Sequence, residues 1–128
     1  MRTQYTVALS VIAGLAFGGA GVEVLHAQAK PMAYSVVFAN VNDQEKYMNE
    51  FAPAITKTLQ DAGAKYLVRG GKNIPMHGAP PAPRVVVVQF DSLDKAQAWW
   101  ASPATKAAYA IGEKYATLND FIVEGVSP

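Results

Sequence analysis

The sequence contains no cysteine. Disulfides, thiolate nucleophiles, iron–sulfur clusters, thiolate zinc sites and lipid attachment through cysteine are therefore excluded. Histidine is nearly as scarce: there are two, and only His77 lies beyond the N-terminal region, which argues against a histidine-rich metal site. Neither sign of charge dominates. Eleven Lys and Arg face ten Asp and Glu, a net charge of +1, so the clustered basic surface that a nucleic-acid partner needs is not expected. Charged residues make up 16% of the chain and hydrophobic ones 51%, a balance that excludes intrinsic disorder. There is no P-loop, no GxGxxG dinucleotide signature, no GxSxG elbow and no HExxH. The expectation is one ordinary domain with no cofactor and no metal.

What the chain does have begins with an address. Arg2 precedes an uncharged apolar run, Val7–Gly21, that falls short of the roughly 20 residues needed to span a bilayer. Ala27-Gln28-Ala29 then fits the small-x-small rule of signal peptidase. The expectation is cleavage after Ala29, a mature chain from Lys30, a periplasmic or secreted protein, and no stable membrane insertion after cleavage. The alternative is an uncleaved N-terminal anchor, against which Glu23 and His26 stand, close behind the apolar run.

The mature region alternates between two periods. Ala33–Val41 is rich in β-branched and aromatic residues and ends at Asn42-Asp43, a strand stop and helix cap. Tyr47, Phe51, Ile55 and Leu59 recur every four residues as one apolar helical stripe. Pro53 lies inside that stripe and predicts a kink or break near Glu50 to Ala52. Lys65–Arg69 reads as a strand closed by Gly70-Gly71. The stretch Lys72–Pro83 reads as a loop, with Pro75, Pro80, Pro81 and Pro83 barring strand or helix. Val85–Phe90, with four consecutive valines, reads as a central strand buried on both faces. Asp91-Ser92 caps a helix, Ser102-Pro103 starts another that carries a stripe as far as Tyr115, and Phe121–Val126 closes the chain as a strand.

This β-α-β-β-α-β order predicts a ferredoxin-like α+β fold, a four-stranded antiparallel sheet with its helices on one face. The opposite face, expected to carry several of Tyr34, Val36, Tyr66, Val85, Val87 and Val123, is apolar and asks for a partner. A second copy of the chain is the simplest partner, so a homodimer with facing sheets is expected.

Val68-Arg69-Gly70-Gly71, Arg84 to Phe90, Ser92-Leu93, Ala98-Trp99-Trp100, Ser102-Pro103 and the closing Phe121 to Gly125 together resemble the DUF1330 family. The resemblance covers about Ala33 to Val126 and implies a dimeric α/β-barrel, with no established reaction. This chain departs from it at Thr105, where the family often carries tyrosine, and at Gly112, where it often carries arginine. The export signal is a further departure.

Six residues are candidates for a ligand site, and none is assigned a catalytic role. Arg69 and Arg84, at the ends of neighbouring strands, could together fork a carboxylate or phosphate; equally, Arg69 could pair with a carboxylate such as Glu124. Trp99 and Trp100, about 100° apart on a helix, cannot both face the core, so Trp100 is either a ligand wall or a surface contact. Asn40 and Gln89 interrupt apolar strands and could orient a substrate carbonyl or satisfy each other. His77 could titrate near neutrality, but no Asp or Glu lies between Asp61 and Asp91, and a solvated loop histidine is the plainer reading. Three functions stay open: a dimer holding a small apolar or weakly acidic molecule between its sheets, a cofactor-free monooxygenase or isomerase, and a structural dimer with no ligand.

Overall fold

The computed structural model describes residues 30–80 and 82–128, and every element lies in the compact unit Pro31–Ser127. The expected export signal and its cleavage after Ala29 lie outside the described residues. The order is β1 (Ala33–Val41), α1 (Gln44–Lys46), a π-helical turn (Tyr47–Phe51), α2 (Ala52–Asp61), β2 (Lys65–Arg69), β3 (Arg84–Phe90), α3 (Leu93–Ala101), α4 (Pro103–Gly112) and β4 (Ala116–Glu124). The strands form one antiparallel sheet in the order β2-β3-β1-β4, the ferredoxin-like arrangement.

Strand alternation sorts the sheet into two faces. Ala33, Ser35, Val37 and Ala39 of β1 are buried, as are Val86, Val88 and Phe90 of β3. They meet Tyr47, Phe51, Ile55 and Leu59, the stripe read from the sequence, together with Trp99 and Tyr109. The other face carries Tyr34, Val36, Phe38, Val85, Val87, Phe121 and Val123, none of them fully buried. The four valines of β3 are thus buried on one face and half-buried on the other.

Local chemistry explains the boundaries. Asp43 Oδ1 accepts from the Lys46 N–H at 3.1 Å, and Ser92 Oγ accepts from the Lys95 N–H at 3.2 Å, so both expected caps are made. Ser102 is extended (ψ 137°), as a residue before proline must be, and Pro103 opens α4. Pro53 lacks the N–H that an α-helix would use at that position. The regular α-helix is interrupted there by a wider turn: the Ala52 N–H bonds the Tyr47 carbonyl, five residues back.

Three expectations are corrected. β4 begins at Ala116, not Phe121, because its polar first half is held by pairing with β1 from Val41↔Ala116 onward. The last helix ends at Gly112, short of Tyr115. Tyr66 faces the helices and not the open face, since it pairs with Val88 and its hydroxyl lies 2.8 Å from Thr56 Oγ1 on α2.

Candidate ligand cavity

A cavity of about 260 Å³ lies between the sheet and the helices of a single chain, not between two sheets. Its floor is built by alternate residues of the sheet, Ser35 and Val37 of β1 with Arg84, Val86 and Val88 of β3. The π turn supplies Tyr47, Met48 and Phe51, and Trp99 and Tyr109 close the far side. The turn that Pro53 forces therefore presents one wall. Met48 and Arg69, the exposed members of the lining, mark the mouth.

Arg69 reaches this face because β2 contains a bulge. Tyr66 pairs with Val88 but Val68 pairs with Val87, leaving Leu67 out of count, so Tyr66 and Arg69 share a face despite being three residues apart. Arg69 Cζ then sits 4.7 Å from the centre of the Tyr66 ring. Arg84 Cζ is 5.3 Å from the centre of the Tyr47 ring. Neither arginine is ion-paired among the described residues; the pairing of Arg69 with Glu124 is not made. Arg84 Nε is out of reach of solvent and has no hydrogen-bond partner. Among the described residues the two are the only charged ones in the lining.

Gly70 keeps Arg84 in place. It adopts φ +70°, and a Cβ there would run into Arg84 Nη1 and stand 2.7 Å from Cζ. Gly70→Ala is expected to cost about 1–2 kcal/mol in backbone strain and to expel the guanidinium from its seat. Urea unfolding would read the first effect, and the Arg84 Nε–Hε NMR signal the second. An unmoved signal would show that the glycine does not position the arginine.

Two cavity phenols are perturbed. Burial raises the Tyr47 pKa, with the neighbouring Arg84 charge pulling the other way. Tyr109 is held far above the ordinary tyrosine value, first by burial and then by the Asp120 carboxylate, whose Oδ2 accepts its O–H at 2.5 Å. Because the folded state holds this proton more tightly than the unfolded chain, its contribution to stability is intact below about pH 10 and is lost as pH rises beyond. Tyr109→Phe is therefore expected to flatten the alkaline fall in stability by up to about 1.4 kcal/mol per pH unit. Urea midpoints from pH 9 to 11.5 would show it, and parallel curves for the two proteins would refute the assignment.

The remaining candidates are dispersed. Asn40 lies in a polar hollow at the end of the sheet that shares Arg84 as a wall. Gln89 is on the open face beside Tyr34 and Lys65, so it and Asn40 do not satisfy each other. His77 is exposed in the proline-rich loop. Trp100 lies outside the cavity, half-exposed against Tyr109 and beneath Lys106, whose Nζ is 3.7 Å from the ring centre, while Trp99 is the tryptophan that turns inward. Gly112 leaves room for Phe51: a Cβ would stand 2.7 Å from its ring, so an arginine at this position would displace a cavity wall. Thr105 is fully buried. Among the described residues no three of His, Asp and Glu gather as a metal site requires.

Tyr47, Phe51, Tyr66, Tyr109 and Ser35 are lining residues that the sequence reading missed. The available signal was three tyrosines at core-facing positions, each bringing a hydroxyl that needs a partner.

The fold and cavity define a ferredoxin-like α+β protein with an internal, largely apolar pocket. The chain belongs to the family described as "Domain of unknown function (DUF1330)", which matches residues 32–126. No curated protein matches it. Among solved structures it is similar to a methylated Rhodopseudomonas palustris protein of unknown function, with TM-score 0.62 and 8% identity over 84% of this chain and 92% of that one. It is also similar to SnoaB, a cofactor-independent oxygenase from Streptomyces nogalater, with TM-score 0.52 and 9% identity over 77% of this chain and 96% of that one. A Bacteroides thetaiotaomicron protein of unknown function, described as a possible oxidoreductase, shares 15% identity with TM-score 0.51, over 76% of this chain and 100% of that one. These likenesses establish a shared fold.

Proposed function

We propose that the domain is an exported homodimeric binding module that holds a small apolar or weakly acidic molecule in the cavity of each protomer. The observation that carries this reading is the cavity itself, apolar in most of its walls and charged, among the described residues, only by two guanidinium groups that no carboxylate pairs with. The half-buried valines of β3 and the exposed Phe121 and Val123 support the dimer, since a second sheet would bury them. Ala27-Gln28-Ala29 supports export.

Native mass spectrometry of the exported protein, purified under mild conditions, tests binding and assembly together. The expected result is a dimer carrying one or two equivalents of a small molecule that is released on denaturation. A bare dimer that also takes up none of a panel of small aromatic and aliphatic acids would overturn the binding reading. N-terminal sequencing of the same sample is expected to begin at Lys30, and an intact Met1 would overturn the cleavage.

The competing catalytic reading, cofactor-free oxygenation or isomerisation, draws on the fold shared with SnoaB. Among the described residues the lining offers it phenols and guanidinium groups but no carboxylate or imidazole base. Oxygen uptake by the purified protein with an aromatic substrate would favour that reading over ours.

A further inference from the structure

The cavity is charged at one end only. Arg84, Val86 and Val88 follow one another along β3, so the floor takes up about 13 Å of strand from the Arg84 backbone to that of Val88. At that far end stand Trp99 and the small side chain of Ser35, which pairs with Val88 across the strands. At the charged end Arg84 also borders the polar hollow lined by Asn40, Asn42 and Gln44. A molecule in the cavity therefore keeps its charge toward water and its apolar body under the helices.

The walls are flat and fixed. Phe51 meets Tyr109 edge to face at 5.9 Å and 83°, and Trp99 meets the same ring at 6.3 Å and 72°. Trp99 is tied to Thr58 by its N–H at 2.9 Å, and the Tyr66 hydroxyl is tied to Thr56. Rigid rings complement another ring, whereas a flexible alkyl chain would lose rotor freedom on entering.

Both arginines lie against tyrosine rings, Arg69 on Tyr66 and Arg84 on Tyr47. A guanidinium carries its N–H groups as a planar fork that matches the two oxygens of a carboxylate. Neither guanidinium is ion-paired among the described residues, so the charge at this end of the cavity is not neutralised. The same fork can take a phosphate, but a phosphate dianion is more costly to desolvate than a singly charged carboxylate, and the remaining lining among the described residues is uncharged.

The geometry points to a flat aromatic carboxylate of one or two fused rings as the ligand class, its carboxylate taken edge-on by Arg84, with Arg69 at the mouth, and its rings between Tyr47, Phe51 and Trp99. This rests on the binding reading above and narrows it.

Calorimetric titration of the mature protein with four probes tests the class: 2-naphthoate, its neutral isostere 2-naphthamide, octanoate and inorganic phosphate. We expect 2-naphthoate to bind, the amide and octanoate to bind about ten- to hundredfold more weakly, and phosphate neither to bind nor to displace it. Arg84→Lys keeps the charge and removes the fork. It is expected to weaken 2-naphthoate about tenfold and to leave the amide within about twofold. Equal binding of acid and amide overturns the carboxylate, octanoate binding as tightly as 2-naphthoate overturns the ring, and phosphate displacing 2-naphthoate overturns the preference for a carboxylate. These wild-type comparisons stand even if the variant misfolds. If no probe binds, this ligand class is wrong; the binding reading survives that result only if native mass spectrometry finds a bound molecule.

Discussion

Trp99→Ala is expected to cost the domain about 3–5 kcal/mol, a large share of the 5–15 kcal/mol that a domain of this size ordinarily has. Trp99 is 5% exposed, packs against Phe90 at 5.2 Å and Tyr109 at 6.3 Å, and belongs to the core as well as to the cavity wall. Its indole N–H donates to Thr58 Oγ1, and the Thr58 hydroxyl donates in turn to the Ile55 carbonyl at 2.7 Å. The alanine variant loses ring volume beside an existing void and strips an acceptor of its donor, two costs in the same direction. A fall in Tm of more than about 12 °C should follow. Trp99→Phe keeps most of the packing and should lose no more than about 2 kcal/mol. Trp100→Ala, at a half-exposed ring, should be milder than Trp99→Ala. If Trp99→Ala unfolds within 1 kcal/mol of the wild type in urea, the helix layer does not depend on this side chain as argued.

Phe121→Glu is expected to turn the proposed dimer into a folded monomer at micromolar concentration. Phe121 is 51% exposed in the single chain, meets Phe38 edge to face at 6.3 Å and pairs across the strands with Val36. Facing sheets would surround a carboxylate there with apolar side chains, and two-fold symmetry would place two such charges in one interface. Several kcal/mol of uncompensated burial corresponds to at least a hundredfold weaker association. Size exclusion with light scattering over a concentration series measures it, and circular dichroism confirms that the fold survives. Ala110→Glu, on the exposed side of α4, adds the same charge away from the open face and should leave assembly unchanged. A wild-type monomer, or a Phe121→Glu dimer of undiminished affinity, would remove the open face as the site of association.

Much of the fold was legible because its signals are local. The run Ala33–Val41, the Asp43 and Ser92 caps, the Ser102-Pro103 restart and the Tyr47-Phe51-Ile55-Leu59 stripe each show a single dominant period or a cap residue with its mechanism. β4 was harder. Its first half, with Asn119 and Asp120, has turn-like composition and is a strand only because β1 runs beside it, a tertiary fact that propensity does not hold. Pro53 announced an interruption, but not that it would take the form of a π turn over Tyr47–Phe51. The site was half legible. Arg69 and Arg84 stood out as charges at strand ends, yet their convergence depends on the bulge at Leu67, and nothing in Lys65–Arg69 marks it. Tyr47 was read as core because a cavity lined by core residues has the same hydrophobic pattern as a core without one, and Tyr66 was placed on the wrong face because the bulge shifts the alternation of β2.

The same bulge has a consequence for self-assembly. The sheet has two edges, and β2 forms one of them. A strand approaching that edge would meet a ladder of only five residues with one out of count, begun by Lys65 and closed by Arg69 and two glycines, so pairing could not propagate. β4, nine residues long and paired with β1 in unbroken register, has no such interruption. The molecule is blunted against strand-to-strand growth on one side only, and its susceptibility to runaway ordered aggregation is concentrated along the β4 edge.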